Sequence, residues 1–165
     1  MKIFQPETRA CMNALLRSAI FDSFLLIEGE ITTFCQFHID GRLHKEFFHQ
    51  AGEEEAPDRE FSLWQEQREY CFSLIRGKRT PLNFRFILAL SRPDTVRLLE
   101  QENLSLTPED VQGLYLNFHF NGTELSCTTG TSLNLFTLDK SLEQAWDKEA
   151  QQFFTKHGIP FEIPE

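Results

Sequence analysis

No run of apolar residues in this chain is long enough to cross a bilayer, which excludes a helical membrane protein. The opening Met1-Lys2-Ile3-Phe4-Gln5-Pro6-Glu7 lacks an apolar signal core, so it reads as a cytoplasmic N-terminus. Basic residues are in deficit: 16 Lys and Arg face 25 Asp and Glu, a net charge of −9. That balance disfavours a protein that coats nucleic acid or anionic membrane through bulk electrostatics. Cysteine is sparse. Cys11, Cys35, Cys71 and Cys127 lie far apart, with no Cys-x-x-Cys, and each falls in an apolar stretch. They read as buried, reduced thiols of a cytosolic protein. No His-Glu-x-x-His, Gly-x-Ser-x-Gly or dinucleotide fingerprint occurs, and nothing indicates a cofactor. Strand alternation sets Cys35 and Cys127 on the faces opposite His38 and His119, so no thiol–imidazole nucleophile is expected.

Apolar content, by contrast, is ample. The 165 residues are 41% hydrophobic and include 17 Phe, enough for the core of a single domain over residues 1–165. Phe37-His38-Ile39-Asp40-Gly41 returns 81 positions later as Phe118-His119-Phe120-Asn121-Gly122. Gly77 and Gly158 stand 81 apart, and the only two tryptophans, Trp64 and Trp146, stand 82 apart. A fixed period predicts one unit used twice, with halves of approximately 1–79 and 80–165. Coincidence in a Phe-rich chain is the alternative.

The patterning predicts strand–helix–hairpin–helix in each half. Lys2–Gln5 reads as an edge strand, and Pro6 opens a helix to about Ile20. Leu25, Ile27, Gly29, Ile31, Thr33, Cys35, Phe37 and Ile39 alternate as a strand with a break near Gly29. Asp40-Gly41 reads as a bulged turn pairing Phe37 with Leu43. Residues 51–58 form an acidic loop, and Ser62 with Gln65 caps a helix that Gly77 ends. In the second half, Leu82–Leu90 alternates as a strand, Pro93 opens a helix, and Thr107-Pro108 begins a short one. A two-residue Asn121-Gly122 turn pairs Phe118 with Leu125 and His119 with Glu124. A short strand near Leu133–Leu138 and a helix capped by Asp139 follow. The fold class is therefore α+β, an antiparallel sheet with covering helices. Leu25, Ile27, Phe37, Phe86, Leu88, Leu116, Phe118 and both tryptophans are its expected core.

Ile31-Thr32-Thr33-Phe34 running into Ile39-Asp40-Gly41, Gly77-Lys78-Arg79-Thr80-Pro81-Leu82, and Thr129-Gly130-Thr131-Ser132-Leu133 leading to Thr137–Glu143 resemble an uncharacterised bacterial family, a domain of unknown function. The resemblance covers nearly the whole chain and implies a bacterial cytoplasmic origin, with no activity or site residues attached. Paired strand–helix–strand–strand units also resemble sliding-clamp and TATA-binding saddle folds, in topology alone.

Three functional readings stand side by side. In the first, the chain is a non-catalytic binding or scaffold module, met by a protein or an anionic ligand and not by a membrane. It is a monomer, or a homodimer paired through a hairpin edge. In the second, a metal-dependent enzyme uses His38, His44 and His119 on the polar hairpin faces, which also carry Tyr115. Alternation demands polar residues on a solvated face in any case. In the third, the segment from Arg68 to Arg92 binds nucleotide or nucleic acid. It holds six basic residues and one acidic, and Arg76, Lys78, Arg79 and Arg85 are its candidates. Complementing a helix C-terminus or pairing with Glu53, Glu54, Glu55 and Asp58 explains the same charges structurally.

Overall fold

A computed structural model describes residues 1–50 and 55–165. In chain order the elements are β1 (Ile3–Pro6), α1 (Thr8–Leu16), β2 (Leu25–Thr32), β3 (Gln36–Asp40), α2 (Lys45–Phe48), β4 (Ser62–Leu63) and α3 (Trp64–Ile75). Then come β5 (Asn83–Ala89), α4 (Arg92–Gln101), a 3-10 turn at Pro108–Asp110, β6 (Val111–Phe120), β7 (Leu125–Leu133), α5 (Ser141–Lys156) and β8 (Phe161–Glu162). The eight strands form one antiparallel sheet in the order β3-β2-β5-β6-β7-β1-β8, with β4 pairing β2. The fold class is α+β. The strand–helix–hairpin–helix order does recur as β1-α1-β2β3-α3 and β5-α4-β6β7-α5. Its pairing does not: β5 pairs β6 of its own half, whereas β1 pairs β7 of the other. Internal duplication is not shown.

The helices α1, α3, α4 and α5 bury their apolar residues in one core against a single sheet face. That face is carried by Leu26, Ile31, Phe84, Phe86, Leu88, Leu116, Phe118 and Leu125. Trp64 and Trp146 are both buried, and each indole N–H donates to a backbone carbonyl, of Leu15 and Tyr115 respectively. Such partners suit buried indoles. Leu25, Ile27 and Phe37 are only half-buried.

Several local expectations need correction. Helix α1 stops at Leu16, and the Ser18 hydroxyl donates to the Ala14 carbonyl beyond it. β1 is interior, between β7 and β8. The stretch read as one strand from Leu25 to Ile39 reverses at Thr33–Cys35, so β2 and β3 are themselves the hairpin. Cys35 sits exposed in that turn. Asp40-Gly41 is no hairpin turn. A side chain on Gly41 would lie 1.8 Å from the Leu26 carbonyl oxygen, so the glycine permits a close crossing over β2. Ser62 then donates to the Gly41 carbonyl through its backbone N–H and its hydroxyl, tying β4 in place. In the second hairpin the register is shifted by two: Phe120 faces Leu125 and His119 faces Ser126. The Asn121 carboxamide oxygen accepts from the N–H groups of Thr123 and Glu124, making a four-residue loop. Leu135–Leu138 is loop, not strand. Of the acidic loop 51–58, residues 51–54 lie outside the described residues.

Candidate functional site: the open face of the sheet

All four long helices lie on one face, so the other face of the central strands is open. A bulge between Leu26 and Glu28 decides what it displays. Leu26 pairs Leu88 on the core side, and Ile27 is the extra residue. Glu28 therefore faces Ile87, and Glu30 faces Arg85, on the open side. The register then builds two rows across the sheet. One runs His38, Glu30, Arg85, His119, Ser126; the other runs Asp40, Glu28, Ile87, Asn117, Thr128.

The first row is charged at one end. His38 Nε2 lies 3.0 Å from Glu28 Oε1. Arg85 Nη2 lies 3.9 Å from both Glu28 Oε1 and Glu30 Oε2. His119 shares the row with His38 but stands three strand spacings away, about 14 Å at about 4.8 Å each. His44 is elsewhere, at the N-terminal boundary of the short α2 with no capping bond from its side chain, 3.4 Å from the Glu46 carboxylate. The three histidines are therefore not brought together.

Tyr115 occupies the middle of the open face. Its ring lies over Gly113, where a Cβ would come within 2.4 Å of the phenol oxygen. Gly130 stands opposite it on β7. Burial, with the Glu60 charge second, raises the Tyr115 hydroxyl pKa above its ordinary value. On one side of this ring lies a groove of about 710 Å3 whose apolar wall includes Leu25, Ile27, Leu63 and Ala89. On the other side Ile27, Ile87, Asn117 and Thr128 line a depression of about 420 Å3. Ile27 and Tyr115 border both, so the two hollows form one tract. Asn117 Oδ1 is buried there with no hydrogen-bond partner among the described residues. Such an orphan is unusual and calls for a physical account.

Charges at the groove rim are largely committed. Arg59 holds Glu66 through two bonds of 2.9 Å, and Glu66 also accepts from the Leu63 N–H. Burial works against that carboxylate, yet Arg59 and the N–H hold its pKa below the ordinary value. Glu60 pairs with Arg42. Arg92 donates to the Val111 carbonyl at 3.2 Å.

The basic segment does not gather into one patch. Arg68 forms a bidentate pair with Asp22 at 2.8 and 3.1 Å. Arg85 faces the two glutamates across the sheet. Arg76, Lys78 and Arg79 are exposed beyond the end of α3. Glu28 and Glu30 were not among the candidates from sequence, because a strand read straight through to Ile39 hides the β2–β3 pairing that sets Glu30 opposite His38. Asn117 falls on the polar hairpin face by alternation, but only the structure shows that its carboxamide oxygen is buried without a partner among the described residues.

No characterised protein and no solved structure gives a significant match to the chain. Residues 14–162 match a family of unknown function, DUF5721, and the chain belongs to that family.

Proposed function

We propose that this protein is a non-catalytic binding module whose open sheet face, centred on Tyr115, receives a small amphipathic ligand. The orphaned Asn117 Oδ1 carries the reading. A buried acceptor without a partner costs about 1–3 kcal/mol, and a ligand N–H or O–H would recover it. The rest of the tract suits such a guest. Ile27, Ile87 and Leu63 offer apolar contact, and the Tyr115 hydroxyl is a second polar anchor. Nucleophilic chemistry fits poorly with the buried thiols, since burial pushes those of Cys11 and Cys71 up to about 12.

The test is a screen of small aromatic alcohols and amides against the 15N-labelled chain. Shifts centred on Ile27, Ile87, Tyr115 and Asn117, and abolished by Tyr115→Ala, support the reading. Hits scattered over the surface, or confined to the helical side, overturn it.

A further inference from the structure

We propose that Glu28, Glu30 and His38 bind one first-row transition-metal dication, for which Zn2+ is the suited probe. The site lies outside the groove and shares none of its residues. One oxygen from each carboxylate and one imidazole nitrogen lie within 4.8 Å of one another. Ligands about 2.1 Å from a common tetrahedral centre stand about 3.4 Å apart, so modest side-chain rotation closes the set. The sheet preorganises it: Glu30 and His38 are directly opposed on β2 and β3, and Glu28 is two residues along the same strand face. Glu28 also opposes Asp40, so a third carboxylate borders the site.

Charge favours a dication here. Two carboxylates, Glu28 and Glu30, face one cation, Arg85, at 3.9 Å from each, beyond hydrogen-bonding distance. The imidazole sets the selectivity. A nitrogen donor with two oxygens suits Zn2+, whereas Mg2+ and Ca2+ prefer oxygen alone. His38 is 54% exposed, which leaves a coordination position to water, and three protein ligands with an open position is a common zinc arrangement.

Titration calorimetry with ZnCl2 on the full chain, in a non-coordinating buffer, tests this. One Zn2+ should bind per chain. His38→Ala and Glu30→Gln should each weaken it by about tenfold or more. Arg85→Ala should tighten it by removing the opposing charge. His44→Ala and His119→Ala should leave it unchanged, and excess Mg2+ should not compete. The replaced side chains are largely solvent-facing, and melting curves verify that each variant folds. Failure to bind Zn2+, binding indifferent to His38→Ala, or weakening by Arg85→Ala would each overturn the assignment.

Discussion

Replacing Asn117 with leucine should make the protein more stable while removing the proposed recognition group. Here the wild-type acceptor is buried and unpaired. Its desolvation stands against folding by about 1–3 kcal/mol, and leucine of similar shape removes that term. The new side chain would also meet Ile87 and Ile27, which line the same hollow. The expected gain is about 1 kcal/mol, equivalent to a rise in Tm of about 2–4 °C for a chain of this size. Calorimetric melts and urea titrations of the two proteins measure it. Asn117→Asp is the counter-variant: a carboxylate in the same place should lower the midpoint, because a buried charge is harder to desolvate than an amide. A leucine variant less stable than wild type by 1 kcal/mol or so would mean that the carboxamide is structurally satisfied. The binding proposal would then lose its main support.

Gly113→Ala should push the Tyr115 ring off the sheet, because the new Cβ falls 2.4 Å from the phenol oxygen. Fragment binding should be lost while stability changes by less than about 1 kcal/mol, since the displaced group is a free ring end and not packed backbone. Asp22→Ala should destabilise by about 2–3 kcal/mol, for it strands Arg68, whose side chain is only 19% exposed. Arg68→Met in the same chain should restore part of the loss in urea melts. Ellman's reagent should titrate one thiol, Cys35, in the native chain and all four after unfolding. The thiols also fix the alkaline limit. Burial raises those of Cys11, Cys71 and Cys127, and Tyr115 is raised too. The unfolded chain then binds fewer protons than the folded one above the ordinary thiol pKa of 9.0. Stability is whole below that pH and falls as pH rises, by up to about 1.4 kcal/mol per pH unit for each retained proton. Equal urea midpoints at pH ~8 and pH ~10 would contradict the buried thiols.

Much of the fold was legible because period and chemistry agreed. The Asn121–Glu124 hairpin shows both the reach and the limit of such reading. Every residue from Tyr115 to His119 was assigned to its proper face, yet the register was off by two. A slip of two preserves the faces, because side chains alternate with a period of two. Facial sorting therefore cannot choose between the two-residue turn and the loop built by the Asn121 side chain. Helix entries were read well for α4 and α5 but not for α3, where Ser62 lies in β4 and the Glu66 carboxylate, not Gln65, accepts from the Leu63 N–H at the helix start. The Ser91 hydroxyl accepts from the Asp94 N–H ahead of α4 with Pro93 in its first turn, and the Asp139 carboxylate accepts from the Ser141 N–H before α5. The Asp40-Gly41 error has a different origin. Glycine serves both tight turns and close backbone crossings, and only the position of β2 reveals that Gly41 belongs to the second class.

The bulge at Ile27 explains why the open face resisted sequence reading. Leu25 and Ile31 share a parity, and alternation alone assigns them to one face. In the sheet Leu25 opposes Ala89, which opposes Tyr115 on the open side, while Ile31 opposes Phe84 in the core. One inserted residue reverses the parity between them. On the near side of the insertion, Leu25 and Ile27 become a wall of the groove beside Tyr115. On the far side, Glu28 and Glu30 turn away from the core and meet His38 and Arg85. A regular strand that kept Leu26 in the core would have carried Glu28 and Glu30 inward with it, where unpaired carboxylates are not tolerated. The apolar tract is thus a consequence of one backbone irregularity and vanishes from view when the strand is read as uniform. Glu28 and Glu30 keep their parity opposite to Ile31 in either reading, and what the uniform strand hides is the hairpin that brings His38 back beside them.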